Sequence, residues 1–328
     1  MKLMRKGYLD SKSNATIPRA LRKQRLWFRL DWVLLALGAI LLSIPATAAP
    51  LRIGTISADP AKDVKEFQPL AAYLGSRLGK RDIDSGVVVI AQDVREMANM
   101  LKTDKIDLYV DSPFPVLLTQ RLADNKILLR RWKKGVQSYS GVIFTRRDSG
   151  FAEIKQLSGK MIAFEEPFST ASYYLAKAHL IHAGLKMSRK ADSRDKVEPN
   201  EVGYVFSDDD RNTMAWVMTG KVSAGAMNDE KYKKLAKGRE QELLILATTM
   251  VVPRHLVTYR KNLDALLVNE IRSLLVEMEH APAGLAALKA FNETTRFDDL
   301  NEADHKELER LRVTYDVQIN NELSGKMP

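Results

Sequence analysis

The residues of this chain best suited to chemistry lie in one short stretch, Met161-Ile162-Ala163-Phe164-Glu165-Glu166-Pro167-Phe168-Ser169-Thr170-Ala171-Ser172. The apolar run Met161–Phe164 reads as a buried strand that Glu165, Glu166 and Pro167 stop, and Ser169, Thr170 and Ser172 stand where a helix begins. That helix is predicted over 169–183, with Tyr174, Leu175, Ala178 and Ile181 at helical spacing. Unpaired N–H groups at residues 170–172, Ala171 among them, three hydroxyls and the positive end of a helix dipole would converge there, which suits an oxyanion. The alternative is that Ser169 or Thr170 only caps the helix.

Catalysis would require a nucleophile beside a base, a carboxylate pair across a cleft or a metal cluster. Asp208-Asp209-Asp210 is the one acidic cluster near the expected cleft, and consecutive residues on a turn point in different directions. The five histidines (179, 182, 255, 280, 305) lack zinc-ligand spacing, and His179 and His182 read as surface or packing residues of one helix. The chain has no cysteine, hence no disulfide and no thiolate ligand. The expectation is a binding protein rather than an enzyme, with no cofactor and no metal.

The elements that must position the stretch come in alternation. Strands are predicted at Leu51–Ile56, 87–91 (a continuous apolar run, covered on both faces) and 106–110, with helices at 62–78 and near 97–101 between them. Ile127 to Trp132 leads into a basic loop with Arg130, Arg131, Lys133 and Lys134; residues 139–145 form one long strand passing between lobes; 186–201 is a solvated loop. Strands at 204–206 and 224–228 flank a helix from Asn212, the stretch 243–260 is a second hinge strand broken by Pro253, and 263–311 is helical. Strand–helix alternation predicts an α/β fold with ligands at the carboxyl ends of its strands.

The N-terminus reads as a targeting segment. Residues 1–31 carry nine Lys or Arg against Asp10 and Asp31, an uncharged run follows at 32–44, and then Pro45-Ala46-Thr47-Ala48-Ala49. A basic leader, a short apolar core and an Ala-x-Ala site predict a signal peptide over residues 1–49, cleaved after Ala48 or Ala49, and a periplasmic location. The apolar run falls short of the roughly 20 residues that span a bilayer, so an uncleaved anchor is the second reading. Most of the formal net charge of +10 sits in this leader, which removes the basis for a nucleic-acid partner.

Several motifs in order resemble the phosphate, phosphite and phosphonate-binding proteins of bacterial ABC importers, a branch of the type II periplasmic binding proteins. Leu51–Ile56 with Asp59-Pro60 resembles the opening strand; Lys105-Ile106-Asp107-Leu108 and Ser112-Pro113 are similar to the family's strand and Gly-Pro turn. Asp148-Ser149-Gly150 and Leu157-Ser158-Gly159-Lys160 resemble "DSGI…DLKGK", Glu166-Pro167-Phe168-Ser169-Thr170 resembles the anion-holding "DPxST", and Gly220-Lys221-Val222-Ser223-Ala224-Gly225-Ala226 resembles "GKxDAGA". The resemblance implies two α/β lobes, each a mixed sheet flanked by helices, joined by two hinge strands: 51–137 with 251–328, and 138–250. It implies a small oxyanion on Ser169, Thr170, Ala171 and Ser172, with Ser112, Phe114 and Tyr139 on the opposite wall. The implied partner is an ABC permease in the inner membrane or, on the second reading, a sensor kinase, and the implied state is a monomer.

The chain also departs from the family. Phe114-Pro115 stands where the family places a cleft tyrosine, Asp208-Asp209-Asp210 where it places a His-Asp pair, and Ser223 where it has Asp. Carboxylates beside a phosphonate repel it by about 1 kcal/mol at 4 Å in water and more when desolvated. Two readings follow: Asp208 or Asp210 meets an amino group on the ligand, or one aspartate of the three caps the helix from Asn212 and the others are solvated.

Overall fold

The computed structural model describes residues 49–314 and 316, and the leader predicted before Ala49 lies outside them. Four strands come first: β1 (Leu51–Ile56), β2 (Gly86–Ala91), β3 (Leu108–Asp111) and β4 (Lys126–Lys133). A short β5 (Ser138–Tyr139) leads to β6 (Gly141–Arg146), β7 (Met161–Phe164), β8 (Met187–Arg189), β9 (Val202–Phe206), β10 (Ala224–Asn228) and β11 (Leu243–Thr248). The chain returns through β12 (Val252–Pro253) to β13 (His255–Tyr259) and β14 (Thr294–Asp298). Two six-stranded mixed sheets result, ordered β14-β4-β13-β3-β1-β2 and β11-β6-β10-β7-β9-β8. β5 and β12 pair antiparallel with each other alone, Val252 opposite Tyr139, where the chain passes from one sheet to the other and back.

Helices cover the sheets because their apolar stripes need partners. Helix α1 (Pro60–Gly75) starts where the Asp59 side chain accepts the Lys62 N–H and Pro60 occupies the first turn. It turns Phe67, Leu70 and Leu74 into a core with Leu51, Ile53, Leu129 and Val257. The helix meets β2 closely: a Cβ at Gly86 would lie 1.9 Å from the Ala71 carbonyl oxygen. Next come α2 (Val94–Lys102) and α3 (Pro113–Ala123), whose first turn follows directly from β3. In the second lobe a π-helical turn (Thr170–Leu175) runs into α4 (Ala176–His182), followed by α5 (Asp210–Met218) and α6 (Asp229–Ala236). Helices α7 (Ala265–Glu277), α8 (Pro282–Ala290) and α9 (Glu302–Thr314) return to the first lobe. Buried Arg130 of β4 holds Asp298 through both carboxylate oxygens (2.9 and 2.8 Å) and Asp304 at 2.7 Å, fixing β14 and α9 to the sheet. No helix of the described residues is long and apolar enough to cross a membrane.

Several expectations change. The strand at 87–91 is an edge strand with Val87 exposed, not one covered on both faces. The stretch 186–201 contributes β8, and 263–311 is interrupted by β14, whose five residues close the far edge of the first sheet. The helix from 169 opens with a wide π turn instead of a regular α-helix. The long strand at 139–145 divides at Ser140 into β5, which pairs with β12, and β6, which pairs with β10 and β11. A Cβ at Gly141 would sit 2.4 Å from the Ala171 carbonyl oxygen, so the π turn can lie against β6 only over glycine.

Gly141→Ala is therefore expected to destabilise the protein by about 1–3 kcal/mol through overpacking. Gly79→Ala, at an exposed position where a Cβ meets nothing within 4 Å, should leave urea unfolding unchanged. Equal midpoints for the two variants would contradict the close approach.

Candidate functional site

Parallel strands deliver their carboxyl ends to one edge of each sheet, and here both edges border one cleft of about 1000 Å³. The first lobe contributes the ends of β1 and β3, including Ser57, Asp111 and Ser112, and the starts or ends of the antiparallel strands β4 and β13. The second lobe contributes Glu165 and Glu166 after β7, Asp208 to Asp210 after β9 and Asn228 at the end of β10.

Two helix starts meet in this cleft. Ser112 precedes α3, and its N–H and hydroxyl donate to the Asp111 carboxylate at 2.6 and 3.2 Å. Ser169 precedes the π turn; its Oγ accepts the Ser172 N–H at 3.3 Å and donates to Glu165 Oε2 at 3.0 Å. Between them lies the Thr170 hydroxyl, which accepts the Phe114 N–H at 3.0 Å and donates to Ser112 Oγ at 2.8 Å. Tyr139 closes the group, its hydroxyl bonded to Thr170 and Ser112 and pushed up to about 12 by burial. Facing N-termini with their positive ends together would repel, and shared oxygen acceptors offset that.

Ser112, Tyr139, Ser169, Thr170, Ala171, Asp208 and Asp209 all line the cleft. Two expected residues do not. Phe114 is buried behind the wall, stacked on Tyr174 with ring centroids 3.4 Å apart, because α3 packs its first turn against the π turn. Ser172 is fully buried one turn inside, where only its N–H serves the start of the helix through Ser169. Asp209 caps α5 by accepting the Arg211 N–H at 2.6 Å, and Asp208 takes a left-handed backbone conformation (φ 65°) beside it. Asp210 is buried, with Oδ2 3.6 Å from Lys231 Nζ and Oδ1 without a hydrogen-bond partner among the described residues.

One wall of the cleft is not apparent from the sequence. Arg131 and Lys133, expected in a basic loop, alternate along β4 beside His255 of β13 and Arg254 just before it. Period-two spacing in Arg131-Trp132-Lys133 was the available signal, hidden because the run is so strongly charged.

Desolvation trims the charge on both walls. Burial pushes Asp111 up to about 6 against the hydrogen bonds from Ser112 and Tyr109, and burial with Glu165 alongside pushes Glu166 up to about 8. Burial, again with Glu165 alongside, raises Asp210. Burial and the neighbouring Arg254 push Arg131 down to about 9, and burial with Arg131 and Arg254 pushes Lys133 down to about 7. Glu166 and Asp210 therefore repel an anion less than their formal charge suggests. No group of three His, Asp or Glu is placed to hold a metal ion among the described residues.

A model of the family of periplasmic substrate-binding proteins of phosphonate ABC transporters matches residues 53–305. The chain belongs to this family. Among solved structures, the chain is similar to the Xanthomonas citri protein XAC2383 bound to ATP (TM-score 0.76, 23% identity, 83% of this chain and 98% of that one covered). It is also similar to PhnD1 of Prochlorococcus marinus in complex with methylphosphonate (TM-score 0.58, 17% identity, 81% and 98% covered). A third likeness is to PA3383 of Pseudomonas aeruginosa, a binding component of an ABC phosphonate transporter (TM-score 0.57, 14% identity, 82% and 88% covered). These likenesses show the fold, that of the type II periplasmic binding proteins.

In this phosphonate-binding family member Glu166 gives a direct test of the cleft's electrostatics. Its carboxyl keeps a proton up to about pH 8 in the folded chain but ionises from its ordinary value of 4.5 when unfolded, so stability falls as pH rises between the two. Glu166→Gln removes that loss. The ligand-free variant should melt above wild type at about pH 8 and with it at about pH 4; equal melts at both would show that Glu166 is not desolvated.

Proposed function

We propose that this chain is the solute-binding component of an ABC importer and holds a small oxyanion of the phosphonate, phosphite or phosphate kind between its lobes. The observation that carries this reading is the meeting of two helix starts, at Ser112 and Ser169, in one cleft. The anion accepts hydrogen bonds from the N–H groups of Thr170 and Ala171, and from the hydroxyls of Ser169, Thr170 and Ser112 once these turn their protons from Glu165, Ser112 and Asp111 to it. The lobes, residues 51–137 with 251–328 and residues 138–250, close about the β5–β12 pair. Because the anion touches both walls only when they approach, its differential affinity shifts the population toward the closed form, which an inner-membrane permease then recognises.

A second reading has a specific observation in its favour. Asp210 is buried beside Glu165, two carboxyls sharing one hydrogen bond, with no hydrogen-bond donor on Asp210 Oδ1 among the described residues, which suits an ammonium group on the same ligand. On that reading the ligand is an aminoalkylphosphonate.

Calorimetry against phosphate, phosphite, methylphosphonate, 2-aminoethylphosphonate and sulfate tests both. The expected outcome is binding of at least one phosphorus oxyanion, weakened roughly twofold to tenfold by Thr170→Val, the equivalent of one hydrogen bond. Silence across the panel, or unchanged affinity in the variant, contradicts the helix-start site. A preference for 2-aminoethylphosphonate over methylphosphonate selects the amine-bearing ligand.

A further inference from the structure

The oxyanion reading leaves the basic wall unused. Arg131 and Lys133 lie on one face of β4, and His255 of β13 is paired with Arg131 across the ladder, with Arg254 just before it. Arg254 has only 8% of its side chain exposed; its Nη2 lies 3.2 Å from Glu230 Oε2 and its guanidinium 4.3 Å above the Tyr139 ring. Among the described residues its Nε nevertheless has no hydrogen-bond partner, and neither has Nδ1 of His255. Arg131 is anchored by Thr294 Oγ1 (2.8 Å) and the Phe291 carbonyl (2.9 Å). Glu230 is the counter-ion of Arg254, and Glu66, Asp63 and Asp111 attract Arg131, but Glu66 accepts the Asn292 amide at 2.9 Å and Asp111 accepts from Ser112 and Tyr109. Glu293 stands 3.9 Å from Lys134 at the rim. Clustered, desolvated cations with unspent donors are costly unless an anion completes them.

Tyr139 sets the distance between this cluster and the helix starts. Its hydroxyl is bonded at Ser112 and Thr170 while Arg254 covers its ring, so the two anion-seeking groups lie about one phenol ring apart.

We propose that Arg254, His255 and Lys133 form a second anion subsite, so that the cleft takes a ligand with two anionic groups close together, such as an organic diphosphate or a phosphonocarboxylate. This rests on the helix-start reading for the first group only. The depressed Lys133 and His255 are consistent with a subsite whose counter-charge arrives with the ligand.

The test is calorimetry on the intact protein with phosphate, methylphosphonate, pyrophosphate and phosphonoacetate, repeated on Arg254→Gln and Lys133→Gln. Because Arg254 also pairs with Glu230, Lys133→Gln at a half-buried position serves as the independent variant. The expected result is pyrophosphate at least about tenfold tighter than phosphate, with that advantage lost in both variants while methylphosphonate stays within about twofold. Pyrophosphate binding no tighter than phosphate overturns the second subsite. So do variants that weaken methylphosphonate as much as pyrophosphate. Arg254-dependent pyrophosphate binding with methylphosphonate silent supports the basic subsite and retires the helix-start site instead.

Discussion

One hydroxyl, that of Thr170, holds the two lobes together where their ligand would bind. It takes the first free N–H of one helix start, at Phe114, and gives its own proton to the serine that precedes that helix. Each helix start needs acceptors for its N–H groups, and the fold brings two such starts to one place. The geometry depends on residues that do no chemistry: Gly141, over which the π turn lies, and the Phe114–Tyr174 stack behind it. Ser169 is likewise committed, capping its helix with its oxygen and giving its proton to Glu165.

The cleft is built against its own stability. Carboxyls on one side are held above their ordinary range and cations on the other below theirs, each mainly by burial. A site whose groups are desolvated and incompletely paired gains most when a ligand supplies the missing charge, which suits a protein that must close around its solute. The fold absorbs this cost through its apolar cores and through ion pairs placed away from the cleft, such as Arg130 with Asp298 and Asp304.

Much of this architecture was legible in the residues. Strand β7, the turn at Glu165 to Pro167 and the helix start at Ser169 follow from an apolar run, turn residues and hydroxyls in sequence, all of them local signals. Strand β14 was not legible, because Thr294 to Asp298 has no apolar alternation of its own and is held by pairing with β4 far away in the chain. The division at Ser140 follows from partners distant in the chain, β12 for β5 and β10 with β11 for β6. Of the residues that line the cleft, Ser169 and Thr170 stand out from the local pattern, and Ser112 and Tyr139 only through the family resemblance. Arg254, His255 and Asp210 gain their meaning from burial and from neighbours on other elements, which a linear pattern does not carry. Phe114 was misplaced for the same reason, since nothing in Ser112-Pro113-Phe114 tells which way the ring turns.

The most direct measurement is a crystal structure grown with methylphosphonate. It should show the phosphonate oxygens within hydrogen-bond distance of the Thr170 and Ala171 N–H groups and of the Ser112 hydroxyl. A phosphonate bound elsewhere in the cleft, with both helix starts untouched, would contradict the claim that these starts form the anion site.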